Sequence, residues 1–523
     1  MTSLGHAASI PAQWTVLEQT KFRDVSEDRR GADRTEWWAA YAPWALSLLF
    51  VLAKLPTLHD PHYWDALSCY LPQSRVWVEH GTDWAAYRSL PYLRPPVLTG
   101  SVAALLSLGA SHAAVRVYLW LWAVLGLFGT YRLTRALGGR AQAALGAMLL
   151  CAATPLYLAQ AGLLQLDLAA AVLCVWALVA LIEQRPWVFA LSLSLAVLTK
   201  ESSYYLCLPA ALWLGLHASG STRVRDLLRL RVLLRLVPAV LPGLVLFGWL
   251  VVHRLLVGRW MGADHQGALF SPDRIANALL HNFVEGGRLP LVALAAFALR
   301  CAKPPHALSL RIAGLAVALL PLCFAGHPPR YMILSLPPLC ALAALGFYEL
   351  SARARRLSAP LLLGWLLLGW TGGSWHSDSG DHLEANLAYR ELITLQRQAA
   401  QALHAAGARA VLADFPMEDV LRAPPGLGYL PSPVPVAWAN PRHLYQELCR
   451  HDFLVEADGG SVDAAKRLLQ PRGALSPYLE LGPPTARGVW PWGRIQQRIR
   501  IYRIHCPDAS NVDASSARLT GAK

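Results

Sequence analysis

Residues 59–96 read HDPHYWDALSCYLPQSRVWVEHGTDWAAYRSLPYLRPP, after an apolar segment ending near Leu58 and before another run of apolar sequence. Acids, bases and aromatic rings crowd this stretch. Asp65 sits among Tyr63, Trp64 and Tyr70, and the segment closes on Arg94-Pro95-Pro96. Trp and Tyr at this density suit a segment lying at the headgroup level of a bilayer. An acid held beside low-dielectric surroundings is a candidate functional group. The chain is therefore expected to leave the lipid here and run along the interface before it re-enters.

Composition agrees with a polytopic membrane protein. The 523 residues are 55% hydrophobic and 15% charged, with mean hydropathy +0.34. A net charge of +14 could suggest nucleic acid, but the arginines fall mainly in short loops between apolar runs, where the positive-inside rule puts them. They carry orientation, and no nucleic-acid partner is expected. Residues 1–38 are polar and of mixed charge, without the apolar core of a signal peptide, and read as a cytoplasmic tail. The nine cysteines form no CxxC or other metal spacing.

The first span is expected near 44–58. The region 97–117 is ambiguous, either a second span or a helix lying in the interface. As a span it would put the Arg132–Arg140 loop outside. As an interfacial helix it puts that loop and the later basic loops inside, and this reading is adopted. Spans then follow near 113–131, 143–160, 167–182, 187–200, 203–217, 237–256, 289–300, 311–325, 331–348 and 358–372. That is about eleven, some shorter than the ~20 residues a span needs. The amino terminus falls inside and the carboxyl terminus outside. Residues 39–372 form the membrane domain, with 59–112 as its first outer loop.

From Gly373 the composition changes, and 373–523 is expected to be a small soluble α/β domain on the outer side. Leu383–Ala406, the stretch around Pro441–Arg450 and Val462–Leu469 read as helical. Ala410–Leu412 is a short apolar run ending at Asp414, Phe453–Val455 follows the second helix-like stretch, and Ile499–His505 alternates like a strand, so helix and short strand alternate. Cys449 and Cys506 would share an oxidising compartment there, which leaves a disulfide between them open.

On the outer side this topology gathers Asp65, Arg94, the turn before Asp167, Lys200-Glu201, the 252–289 loop and His327–Tyr331. Arg94, Lys200 and Arg330 are cations at outer span ends, where the positive-inside rule gives no reason for them. A phosphate at the membrane surface would explain all three. Interface anchoring, or pairing with Glu201 or Asp167, would explain each singly. Asp65 and Asp167 could each be a helix cap or a catalytic carboxylate that takes a proton from an acceptor hydroxyl. Tyr63, Tyr70, Glu201, His327 and Tyr331 are candidate supporting groups. His59, His62 and His80 match no common ligand spacing, so a divalent metal is a secondary reading and no cofactor is required.

In this order the residues resemble the GT-C superfamily of polyprenyl-phosphate-sugar-dependent glycosyltransferases. Within it the chain looks like lipid A aminoarabinose transferases, protein O-mannosyltransferases and rhizobial lipopolysaccharide sugar transferases. Asp65 matches their first-loop acid, Arg94-Pro95-Pro96 a basic residue before a Pro-Pro pair, and Asp167 a second acid. Leu198-Thr199-Lys200 matches a Leu-x-Lys motif, and Arg330-Tyr331 a late Arg-Tyr before a proline-containing span (Pro337-Pro338). The chain departs from many relatives at Ala66, where they have Glu, and at Glu201, where they have Gly.

The resemblance implies inverting transfer of a sugar from a polyprenyl-phosphate donor to an envelope glycan, lipid or protein, at the outer face of a bacterial inner membrane. Asp65 would be the general base, and Arg94, Lys200 and Arg330 would hold the departing lipid phosphate. Other readings are a transporter or flippase of a lipid-linked sugar, or a non-catalytic assembly subunit. Paired repeats and broken midmembrane helices, the marks of a transporter, are not evident in the sequence.

Overall fold

Long apolar runs without partners for their backbone groups have one solution in lipid, the α-helix. A computed structural model describes the chain from 37 to 506, apart from residues 82, 89, 91–92, 220–229, 259, 261–275, 277–278, 280–282, 284–286, 304, 324–328, 373–386, 388, 425, 439–444, 458–461 and 483–497. Most of the amino-terminal tail, most of the 252–289 loop, His327 and the start of the expected soluble domain lie outside the described residues.

Helix α1 (Trp37–Lys54) leads through a 3-10 turn (Leu55–Thr57) into the loop expected outside. The loop holds a π-helical turn (Ala66–Tyr70), α2 (Leu71–His80) and α3 (Trp84–Tyr87), and is followed by α4 (Pro96–Ser107). Then come α5 (His112–Ala136), α6 (Ala141–Ala153), α7 (Pro155–Gly162), α8 (Leu166–Ile182), α9 (Pro186–Val197) and α10 (Cys207–Ser219). The helical part ends with α11 (Leu230–Val257), α12 (Leu289–Arg300), α13 (Ala307–Cys323), α14 (Leu336–Glu349) and α15 (Ala352–Gly372).

Each expected span thus falls on a helix or a helix pair. The ambiguous region 97–117 divides at Gly109–Ser111. Helix α4 has 12 residues, about 18 Å at 1.5 Å per residue, too short to cross about 30 Å of hydrocarbon. Ser111 caps α5 by accepting from the Ala114 amide at 3.2 Å. Pro155 breaks the α6–α7 segment into a pair bent by 64°, because proline cannot continue the backbone ladder. Among the described residues, four helices are long and apolar enough to cross a membrane, or five if the bent pair counts as one.

Helix α8 is buried almost throughout, as its uniformly apolar sequence requires. It packs between α5 and α9. Helices α12 and α14 come so close that a Cβ at Gly346 would collide with the Leu294 carbonyl, the small-residue contact common between membrane helices. The two ends of α8 differ. Glu183 at its carboxyl end meets Arg132 at 2.6 Å and Arg185 at 3.8 Å, and Gly138 lies against His306. Three loops expected inside therefore share one end, and Asp167 lies at the other, about 24 Å away along the helix.

Beyond the helices stands a mixed five-stranded sheet. Its strands are β1 (Val411–Ala413), β2 (Val436–Trp438), β3 (Phe453–Ala457), β4 (Leu475–Leu481) and β5 (Ile499–Ile504). The order is β2-β1-β3-β5-β4, with β1 parallel to β2 and β3, and β5 antiparallel to β3 and β4. Helix α16 (Tyr389–Ala405) covers it, burying Leu392, Ile393, Gln396, Ala399, Ala400 and Leu403 at helical spacing. The short helices are α17 (Met417–Arg422), α18 (Tyr445–Leu448) and α19 (Asp463–Leu469). The expected Leu383–Ala406 helix begins at Tyr389 in the described residues. Periodicity does not reveal β2 and β4. One is three residues long in a proline-rich segment, and the other carries Pro477 at a register shift. Cys449 and Cys506 are disulfide-bonded, with Cα atoms 5.6 Å apart.

The sheet region rests on the outer loop. Phe415 meets Trp64 edge-on with centroids 4.4 Å apart, Tyr389 meets Tyr63 at 5.9 Å, and Arg390 pairs with Asp60 at 2.7 Å. One hydrophobic cluster runs through Tyr63–Leu71, Leu98–Leu119, Ala159–Ala169 and the sheet.

Candidate active site

The site is assembled beside this cluster, with residues from the loop, from α8 and from the segments around residues 200 and 330. Trp64 takes a left-handed backbone, φ +54°, which is rare for a bulky residue and costs on the order of 1–3 kcal/mol. That turn precedes Asp65, whose side chain makes no cap hydrogen bond. Its Oδ2 accepts instead from Arg330 Nη2 at 2.7 Å and from the Tyr70 hydroxyl at 3.4 Å. Burial, followed by the Asp65 charge, pushes the Tyr70 hydroxyl well above its usual range, so it stays a donor.

Asp167 is not the cap of α8, a position taken by Gln165. It is fully buried. Its Oδ1 accepts from Lys200 Nζ, and its Oδ2 lies 3.8 Å from Arg330 Nε. Lys200 follows the end of α9 and caps a 3-10 turn (Glu201–Leu206). Its ammonium also sits 3.3 Å over the Tyr331 ring. Arg330 comes from a 3-10 segment (Pro329–Ser335) before α14. Asp65, Tyr70, Asp167, Lys200, Arg330 and Tyr331, from distant stretches of chain, thus form one connected network.

Arg94 is placed by a buried glutamine. Gln73 accepts from the Arg94 amide at 2.8 Å and donates to the Arg94 carbonyl at 2.8 Å and to Thr99 at 3.0 Å. Pro95 and Pro96 have no amide to give, and the Val97 amide donates to the Leu198 carbonyl at 2.9 Å. The Arg-Pro-Pro and Leu-Thr-Lys segments are therefore in direct contact. Arg94 Nη1 stands 3.9 Å from Glu201. The pairings with Asp167 and Glu201 left open by the sequence are thus both present.

No protein-family model matches the chain. No curated protein matches it. Among solved structures, ArnT from Cupriavidus metallidurans bound to undecaprenyl phosphate matches with TM-score 0.54 at 14% identity, covering 89% of this chain and 98% of that one. The apo state of ArnT matches with TM-score 0.53 at 16% identity, over 88% and 98%. The chain has the GT-C fold. Arabinofuranosyltransferase AftD from mycobacteria also matches, at TM-score 0.46 and 17% identity, covering 91% of this chain and 40% of its own.

Other candidates make contacts beside this network. Tyr63 packs its ring on Trp64 and Tyr389, in the seam with the sheet. His62 stacks edge-on against His112 at 5.3 Å. Burial, and after it the Arg116 charge, holds the His62 ring well below its usual range. Among the described residues, no group of three or more His, Cys, Asp or Glu side chains is placed to hold a metal ion.

Three features of the site are absent from the sequence-based expectations. Helix α17 packs against the π-helical turn and brings Asp419 into the field of Asp65. Burial, then Glu418 and Asp65, pushes its carboxyl up to about 7. The left-handed Trp64 carries no sequence signal. Arg116 is buried at the start of α5, and its signal is legible, since it is a fourth cation at an outer span end.

Proposed function

We propose that this protein transfers a sugar, with inversion, from a polyprenyl-phosphate donor to an envelope glycan, lipid or protein. In this reading the reaction runs at the outer face of a bacterial inner membrane. About eleven segments cross, the amino terminus lies inside, and the sheet region stands outside. The observation that carries it is the convergence of Asp65, Asp167, Lys200 and Arg330 in one buried network at one end of a GT-C fold. A relative with that fold is solved with undecaprenyl phosphate bound, which supports a lipid-phosphate donor.

Asp65 takes the proton from the acceptor hydroxyl as it attacks the anomeric carbon. The lipid phosphate leaves with the electron pair of the broken bond. Lys200 and Arg330, with Arg94 at the rim, stabilise the charge that grows on that phosphate, where fixed cations lower a barrier most. Asp167 holds Lys200 and Arg330 at the right separation, and Tyr331 bounds the ammonium. The sheet region, seated over the loop, bears on the acceptor, since variable elements on a rigid scaffold carry specificity.

The test is transfer by purified protein from a polyprenyl-phosphate sugar. Asp65→Asn keeps shape and polarity but removes the basic oxygen, and turnover is expected to fall by about 10²–10⁴. Near-normal turnover by this variant would refute general-base catalysis by Asp65.

A further inference from the structure

Arg116 is buried, as the fifth residue of α5, and its guanidinium meets backbone carbonyls. Nη2 donates to the Asp60 carbonyl at 2.7 Å and the Pro61 carbonyl at 3.3 Å, while Nη1 donates to the Gly162 carbonyl. Asp60 and Pro61 lie just upstream of Asp65, and Gly162 lies equally just upstream of Asp167. Each acid therefore hangs from a short segment whose root is fixed by one arm of the same side chain.

Both segments are stiff. After Gly162 the chain turns through Leu163–Gln160 and Gln165–Leu163 backbone bonds, and residues 163–167 are buried. After Pro61 come buried His62 and Tyr63 and the left-handed Trp64. A shift at either root has few soft torsions in which to dissipate. The Asp60 carboxylate is itself held by Arg390, so the outer root also bears the sheet region.

We propose that Arg116 is a positioning residue, which ties the turn before Asp65 to the turn before Asp167 and so sets the spacing of the two acids. This rests on the reading of Asp65 and Asp167 given above. A planar fork with five directed N–H groups can satisfy three carbonyls on two segments, and an ammonium on a flexible stem cannot. A displacement near 1 Å at the reacting groups can cost about 10²-fold.

Arg116→Lys keeps the charge and most of the stem and loses the fork. The expected result is a kcat per folded molecule lowered about tenfold or more, with the donor KM changed much less. Gly162→Ala disturbs the other root without touching Arg116, because its new Cβ would lie 2.5 Å from the Tyr389 hydroxyl and 2.9 Å from Lys54 Nζ. It is expected to lower kcat in the same manner. Combined with Asp65→Glu, which retains a misplaced carboxylate, Arg116→Lys is expected to cost less than it does alone, since both act on one distance.

Wild-type kcat per folded molecule in Arg116→Lys, with only the melting temperature or yield reduced, would overturn the proposal and leave Arg116 a purely structural clamp. Effects that multiply fully with Asp65→Glu would overturn it as well. The Asp65→Asn variant, assayed alongside, separates the two levels. If it is inactive while Arg116→Lys turns over normally, only the positioning role fails. If it is active, the underlying reading of Asp65 fails with it.

Discussion

Two buried cation clusters lie at the end of the helices that carries Asp167, and they use their charge differently. Lys200 and Arg330 face carboxylates and an aromatic ring. Lys54 and Arg116 spend their donors on main-chain carbonyls, Leu158 for Lys54 and Gly162, Asp60 and Pro61 for Arg116. A cation opposite side-chain acids can trade part of that interaction for a ligand's charge. A cation bonded to carbonyls is committed to holding chain segments together. Asp65, Asp167 and Glu201 balance Arg94, Lys200 and Arg330 before any donor arrives, so a phosphate would enter a network already poised between attraction and release.

The largest effect belongs to the first cluster. Lys200→Ala removes the partner of a fully buried carboxylate and, in the proposed mechanism, a charge beside the leaving phosphate. Turnover is expected to fall about 10²–10³-fold, and stability by about 3–5 kcal/mol because Asp167 is left underpaired. Lys200→Arg is expected to recover part of both, as a fork does not reproduce a point charge. Turnover near wild type in the alanine variant would place Lys200 with the carbonyl-bound cations and dissolve the distinction.

A smaller effect is expected at the seam. Arg390 joins Asp60 at 2.7 Å and also donates to the Pro56 carbonyl at 3.1 Å. The pair is partly exposed, so Arg390→Ala is expected to cost only about 1–2 kcal/mol, read as easier proteolysis of the sheet region. Unchanged protease resistance would mean that the aromatic contacts alone hold that region on the loop.

A further effect is pH-dependent and lies at the edge of the first cluster. With the Asp419 carboxyl pushed up to about 7 by burial, Glu418 and Asp65, the folded chain keeps a proton that the unfolded chain loses near pH 4. Stability therefore falls as pH rises through that window. Asp419→Asn has no such loss, so its stability relative to wild type is expected to rise from pH 4 to pH 7. A tenfold difference in proton affinity between the folded and unfolded chain is worth about 1.4 kcal/mol, and partial solvation of the group keeps the gain below that rate. A difference flat with pH would show that Asp419 is not in the field described.

Much of the helical scaffold is legible in the sequence, because apolar runs punctuated by basic loops and prolines mark helices whatever their partners. Asp65, Asp167, Lys200 and Arg330 are legible for the same reason, as charges at the wrong ends of apolar runs. Their pairing is not. Which acid meets which base depends on how the helices are arranged, and on the sequence alone pairing is one alternative to a phosphate site. Arg116 gives the same legible signal, a charge near the start of an apolar run, although the expectations above do not include it. The short strands β2 and β4 defeat periodicity, since three residues show no alternation and Pro477 interrupts the other run. Asp419 lies in a segment whose packing on the loop no local pattern announces.

The division between base and phosphate grip is tested most directly by equilibrium binding of a polyprenyl-phosphate sugar to Asp65→Asn and Lys200→Ala, measured side by side on melting-checked protein. In the proposed mechanism only the transition state requires the base, whereas the ground state already uses the cation. Asp65→Asn is expected to bind the donor within about twofold of wild type, and Lys200→Ala about tenfold or more weakly, near 1.4 kcal/mol. Donor binding lost in Asp65→Asn and kept in Lys200→Ala would contradict that division.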